Sequence, residues 1–182
     1  KTMKRWKSIP MVMLTSVSLI ALTACEEPQV DALVFENLAQ CLDDTTMSRD
    51  ECEANYKEAR AQHAAVAPKY ASKADCLADF GAGQCEEAPY KTQSGGSVFM
   101  PLMMGYMMGS MIGGRRSMVS QPLYRSTKSP GIFRTADSRN VGTATGRTQV
   151  AKSATSRPSF KSSTTSRGGF GASGRRFGSS AT

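Results

Sequence analysis

The chain has 182 residues and a formal net charge of +8, which leaves room for one small domain with an appendage or for two very small domains. The charge is divided, because residues 25–90 carry a net charge of −9 and residues 91–182 a net charge of +13. The chain has one histidine and lacks any Ser/His/Asp, Cys/His or phosphate-loop arrangement. We therefore predict a protein that is not an enzyme and needs no cofactor.

Residues 1–24 have the features of a signal peptide. Four basic residues precede an uncharged apolar run over residues 9–22, which is too short for a spanning helix. The run ends in Leu22-Thr23-Ala24-Cys25, which resembles the lipobox of bacterial lipoproteins at all four positions. The resemblance implies a lipid on Cys25, and Glu26 in place of aspartate implies the outer membrane, with the protein facing the periplasm. The alternative is an ordinary secretory signal.

After a linker over residues 25–30, residues 31–90 are predicted to form an acidic domain with four cysteines: Cys41, Cys52, Cys76 and Cys85. An even number of cysteines in an exported chain favours disulfides over metal ligation, and their spacing fits no zinc pattern. The segments around Cys41 and Cys76 resemble each other, and each repeat has its own second cysteine. This favours bonds between Cys41 and Cys52 and between Cys76 and Cys85, with bonds between the repeats as the alternative.

The local pattern of this domain is helical. Asn37 and Ser72 are placed as helix N-caps, Ser48 begins a capping box, and Gly81 ends the segment that starts at Ser72. A helical face runs from Ser48 to a stop at Pro68, and His63 lies at its edge. We predict that His63 packs against a neighbouring element. The fold class is predicted as mainly α, with a small helical domain stapled by disulfides.

Several motifs are spread in order over the whole chain. They are the lipobox, Ala67-Pro68-Lys69-Tyr70-Ala71, residues 75–85, Met100-Pro101-Leu102-Met103, Gly105-Tyr106-Met107-Met108-Gly109, Gln121-Pro122-Leu123 and Arg167-Gly168-Gly169-Phe170-Gly171. In these motifs the chain resembles the YgiB family of uncharacterised enterobacterial lipoproteins. The resemblance implies no known activity. Members are often encoded beside an ATP-grasp ligase, so a role as an accessory to a neighbouring enzyme is an alternative.

Residues 97–114 contain methionines and glycines at helical spacing and no charge. They predict one helix, in which Gly105, Gly109 and Gly113 form a stripe that a second helix can approach closely. We expect this helix to associate with a second copy or to lie against a membrane, and a membrane span is the alternative. A further alternative is periplasmic copper handling, because thioethers suit Cu(I). The four candidate ligands are Met103, Met104, Met107 and Met108.

Residues 115–182 are basic, rich in Ser, Thr and Gly, and without a sustained apolar period. This composition predicts a long disordered tail. The tail could meet an anionic envelope polymer or lipid, an acidic partner or the chain's own acidic domain, or it could act only as a solubilising segment. Its RGG-type segments resemble those of RNA-binding proteins, but nucleic acid is not expected as a partner of an exported protein.

These features predict a non-enzymatic lipoprotein of the cell envelope. Its expected role is interaction or structural support at the outer membrane, where the lipid on Cys25 would hold it. Its specific partner does not follow from the residues.

Overall fold

A computed structural model describes residues 27–109, 111–112, 115–116, 119–161, 164–165 and 170. Three α-helices lie in this part of the chain: α1 (Leu38–Leu42), α2 (Arg49–Val66) and α3 (Lys73–Phe80), with one 3-10 helix, η1 (Lys152–Thr155). The strands are β1 (Gln29–Phe35), β2 (Cys85–Lys91), β3 (Ser97–Pro101), β4 (Gly105–Gly109), β5 (Met111–Ile112), β6 (Arg115–Arg116), β7 (Gln121–Ser126), β8 (Ser129–Thr135), β9 (Asn140–Gly142) and β10 (Gly146–Ala151). The prediction of a mainly α fold is wrong, because these residues form a mainly β fold.

A six-stranded antiparallel sheet organises the fold, with strand order β10-β1-β4-β7-β8-β9. Its end strands β9 and β10 also contact each other, so the sheet curls until it nearly closes. Strand β1 lies between β10 and β4, and Leu33 faces Met108 on one side and Arg147 on the other. The ranges 31–90, 97–114 and 115–182 therefore all contribute strands to one sheet.

Strand β4 occupies the middle of the segment that was predicted as a methionine and glycine helix. Met107 packs on one face of the sheet with Leu123 and Phe133, while Tyr106 and Met108 pack on the other with Phe35. All five residues of β4 are buried. The helix prediction is wrong. A strand that is covered on both faces is apolar throughout, so its sequence lacks the alternation of polar and apolar residues that distinguishes a strand from a helix.

The helical signals of the acidic segment are confirmed. Asn37 and Ser72 accept N-cap hydrogen bonds, Ser48 and Glu51 form a capping box, and Gly81 caps the end of α3. Helices α1 and α2 lie on the face of the sheet that carries Tyr106 and Met108. The signals correctly located the helices, but these helices cover a sheet instead of forming a domain of their own.

Both disulfides are present with the pairing that the repeat favours. Cys41 is bonded to Cys52, which joins α1 to α2, and Cys76 is bonded to Cys85, which joins α3 to β2. Cys41 and Cys52 are fully buried beside the sheet. The bonds thus fix the covering helices to their neighbours.

The prediction of disorder for residues 115–182 is wrong for the part that the structure describes. That part contains β7 to β10 and η1, and it continues as a segment that returns to the end of α2. There the amide of Lys161 donates to the Ala65 carbonyl (3.1 Å) and the amide of Thr165 to the Lys69 carbonyl (2.6 Å). Phe170 is buried, with its ring centre 4.8 Å from that of Phe80.

The described candidate glycines and methionines of the predicted helix lie in or next to a strand, so the helical arrangement expected of them is not formed there. Gly105 and Gly109 lie in β4, and Gly113 lies outside the described residues, so the helical face needed for the association prediction is absent from β4. Met107 and Met108 point to opposite faces of the sheet, so the four thioethers cannot share one Cu(I) ion. Among the described helices, none has the length and apolar character of a membrane span.

Candidate functional site

A cavity of about 310 Å³ lies where the returning C-terminal segment crosses the body of the protein. Residues 68–69, just after α2, form one wall, and the turn at 136–138 between β8 and β9 forms a second. The C-terminal segment supplies the third wall. The polar residues that line the cavity are Lys69, Asp137, Ser138, Lys161, Thr164 and Thr165.

Lys69 is the lining residue that follows α2. Helix α2 ends at Val66 before Pro68, so the chain turns and places the ammonium group of Lys69 near the last carbonyls of the helix. Its Nζ donates to the carbonyls of Ala65 (3.4 Å) and Lys161, and it lies 4.8 Å from the centre of the Phe160 ring. Burial, together with the nearby charge of Lys161, lowers the pKa of Lys69. An anion in the cavity would favour the charged form of this amine.

The second wall is a tight turn that carries a carboxylate. Asp137 forms an ion pair with the Nζ of Lys161 and accepts a hydrogen bond from the amide of Ser159 (3.0 Å). Ser138 has a φ of +66°, a conformation that costs a non-glycine residue free energy and is found more often at functional sites. The turn is closed by the Ser138 amide, which donates to the Thr135 carbonyl (2.9 Å).

The arrangement is suited to an anion. The lining residues include two amines and one carboxylate, so the cavity carries a net charge of +1 when all three are ionised. The Thr164 hydroxyl on one wall can donate a hydrogen bond to a carboxylate or a phosphate. Across the described ranges, no cluster of three or more His, Cys, Asp or Glu side chains suits a metal ion.

His63 belongs to a second polar cluster, between α2 and β7. Its Nδ1 lies 2.9 Å from the hydroxyl oxygen of Tyr124, and its Nε2 lies 3.4 Å from a carboxylate oxygen of Glu86. Burial lowers the pKa of His63, and this effect outweighs the opposing effect of Glu86. The packing of His63 against Tyr124 agrees with the prediction that it lies at a contact between elements. We assign it a structural role.

None of the site residues predicted from the sequence lines the cavity. The four later cysteines are in disulfides, the described glycines and methionines are in or next to β4, and Cys25 lies outside the described residues. One signal was available, because Asp137 is the single acidic residue of residues 91–182. A lone carboxylate in a basic segment suggests a specific partner, which here is Lys161.

The fold and the cavity define a disulfide-bonded, mainly β protein with a small cationic site. Residues 29–180 match the family model described as "Protein of unknown function (DUF1190)", and the chain belongs to this family. A relative named "UPF0441 protein", from Erwinia tasmaniensis, is 39% identical over 188 aligned positions, which cover 93% of this chain and 84% of the relative. No solved structure matches the chain. The family agrees with the resemblance to uncharacterised enterobacterial proteins.

Proposed function

We propose that this protein is a YgiB-type lipoprotein of the outer membrane, held there by a lipid on Cys25. It acts by binding, and its cavity takes an anionic group, a phosphate or a carboxylate, of an envelope component. The single observation that carries the binding proposal is that two amines, those of Lys69 and Lys161, line one cavity with a single carboxylate, that of Asp137.

The cavity has the features that a binding site needs and a purely structural ion pair does not. Only one of its two amines is neutralised by a carboxylate, because Asp137 pairs with Lys161 while Lys69 donates to carbonyl groups. Burial lowers the pKa of Lys69, an anion beside the amine would favour its charged form, and the same burial reduces screening by solvent and salt. An anion would therefore gain most from Lys69 and would compete with Asp137 for Lys161.

The two disulfides support the export part of the proposal. Structural disulfides form and persist in oxidising compartments such as the periplasm and are rare in the cytosol. Cys41 and Cys52 are fully buried, which fits a structural bond. Export by the lipobox route would bring the same chain to a membrane that is rich in phosphate and carboxylate groups.

The binding proposal can be tested by NMR with inorganic phosphate and acetate as probes. In the mature chain, exported behind an ordinary cleavable signal so that it carries no lipid, phosphate or acetate should shift amide signals of residues 68–69, 136–138 and 161–165 in a saturable way. Lys161→Ala should weaken binding about tenfold, because one charge-assisted hydrogen bond is lost. Asp137→Asn should strengthen binding several-fold, because it removes the competing carboxylate.

The matched control is Lys57→Ala, which removes the same charge from an exposed position on α2 and should leave binding unchanged. Tighter binding of phosphate than acetate would indicate a phosphorylated ligand, and the reverse would indicate a carboxylate. Equal affinities in the Lys161→Ala variant, the Asp137→Asn variant and the unmodified chain would refute the site.

A further inference from the structure

The first described residues of the chain are tied to the folded body. The carboxylate of Glu27 accepts hydrogen bonds from the amide (2.5 Å) and the hydroxyl (2.9 Å) of Ser153 in η1. The carbonyl of Pro28 accepts from the amide of Lys152 (2.8 Å), and β1 begins at the next residue. Within the predicted linker of residues 25–30, Glu27 and Pro28 are therefore attached to η1.

This attachment limits how far Cys25 can be from the folded body. Consecutive Cα atoms are about 3.8 Å apart, so the Cα atom of Cys25 lies at most about 7.6 Å from that of Glu27. If Cys25 carries a lipid, as proposed above, Glu27 must lie within about the length of two residues of the bilayer surface, and η1 is hydrogen-bonded to Glu27. The lipid then fixes which side of the protein faces the membrane.

The surface next to this attachment point is basic. Lys152 is exposed on η1, and Arg157 is exposed two positions after η1 ends, in the segment that leads to the cavity. Arg139 is exposed as well, and its charge adds to the effect of the Ser153 hydrogen bonds in lowering the pKa of Glu27. Lys152 and Arg139 therefore lie on the side of the protein where the chain leads back to Cys25, and Arg157 follows η1 by two positions in the chain.

The same segment presents an exposed aromatic ring. Phe160 is 71% exposed, which is unusual for a large apolar side chain in the described residues. The amide of the preceding Ser159 is bonded to Asp137, two positions before Arg139, so the ring stays near the basic surface. An exposed aromatic residue among basic side chains is typical of proteins that lie on the interface of an anionic bilayer.

Carboxylates also lie on this side. Glu27 is bonded to Ser153, Asp137 is paired with Lys161, and Glu26 stands between Cys25 and Glu27 in the sequence. The four basic groups, Arg139, Lys152, Arg157 and Lys161, outnumber these three carboxylates, so this set of side chains keeps a net charge of +1. Charge complementarity therefore favours anionic lipid headgroups, which attract basic residues within a Debye length of the membrane.

We infer that Arg139, Lys152, Arg157 and Phe160 form a membrane-contact surface that lies on the anionic bilayer in which Cys25 is anchored. The inference rests on the proposed anchoring and adds an orientation to it. Phe160 enters the interface, and the opening of the cavity beside Lys69 and Lys161 lies close to the headgroups.

Tryptophan fluorescence can test this orientation. The single tryptophan of the chain is Trp6, within the predicted signal peptide, so Phe160→Trp gives a mature protein with one tryptophan. The lipidated protein is reconstituted in vesicles of phosphatidylglycerol and phosphatidylethanolamine. We expect blue-shifted emission that brominated lipids quench. The matched control, Lys57→Trp on the exposed face of α2, should be neither shifted nor quenched.

The role of charge is tested on the Phe160→Trp background. Lys152→Glu together with Arg157→Glu should reduce quenching several-fold, whereas Lys128→Glu in the β7–β8 turn should not. Mass spectrometry of the N-terminal peptide separates the two proposals. Lipid on Cys25 with an unquenched tryptophan would overturn the contact surface. A chain without lipid would overturn the anchoring, and quenching by vesicles added to that chain would then decide the contact surface separately.

Discussion

Replacing Gly105 by alanine should destabilise the protein because β4 is packed too closely to accept a side chain. A Cβ atom at this position would lie 2.8 Å from the Phe35 carbonyl oxygen and 2.9 Å from Cε1 of Phe133. The first is a backbone atom, and the second belongs to a fully buried ring, so neither can move away easily. Overpacking of this kind costs up to about 3 kcal/mol. The lower backbone entropy of alanine offsets about 0.5–1 kcal/mol, leaving a net loss of about 2 kcal/mol.

Urea unfolding of the exported chain, followed by circular dichroism, measures this loss. A change of about 2 kcal/mol lowers the ratio of folded to unfolded protein about 30-fold and lowers Tm by about 4–8 °C. The matched control is Gly131→Ala in β8, where no atom lies within 4 Å of the added Cβ. That variant should be as stable as the original or up to about 1 kcal/mol more stable. A Gly105→Ala variant within about 0.5 kcal/mol of the original would refute the close-packing argument.

Two further predictions concern the anchor and the buried histidine. Cys25→Ser should leave the precursor unprocessed, or release the product from the outer membrane, and normal fractionation of this variant would contradict the lipoprotein proposal. Because the pKa of His63 is lowered below its ordinary value of 6.5 in the folded state, the unfolded chain binds the proton first as the pH falls. Stability should therefore fall below about pH 6.5, by at most about 1.4 kcal/mol per pH unit for one proton, and His63→Gln should remove this component in urea unfolding at about pH 5–7.5. An identical pH dependence in the His63→Gln variant would show that the histidine does not resist protonation.

The helices could be predicted from the sequence because their signals are local. Ser48 and Glu51 are three positions apart, and the cap at Ser72 acts on the amide of Asp75. The disulfide pairing was also local, with separations of 11 and 9 residues, and a repeat in the sequence favoured it. Features that depend on residues close together in the chain could therefore be predicted from the sequence.

The sheet could not be predicted because its contacts are remote in sequence. Asp31 pairs with Gln149, 118 positions away, and Leu33 faces both Met108 and Arg147. The basic segment has few apolar residues, and its mean composition resembles that of a disordered chain. Those few residues, including Leu123, Phe133 and Val150, are nevertheless placed on one face of the strands and meet the apolar residues of β1. Composition averages over positions and so hides this alternation.

The sheet brings oppositely charged residues of the two halves of the chain into contact. Arg125 of β7 forms an ion pair with Glu36, the residue that directly follows β1, and the Arg125 Nη2 atom lies 2.7 Å from a Glu36 carboxylate oxygen. The Arg125 guanidinium carbon also lies 3.9 Å from the centre of the Phe133 ring. This ion pair joins the basic half of the chain to the acidic half. The acidic domain was one of the partners that the sequence suggested for the basic segment. Part of the positive charge is therefore neutralised within the fold. Lys152 and Arg139 of the proposed membrane-contact surface lie beside the attachment of Glu27 to η1, where a lipid on Cys25 would bring anionic headgroups within reach.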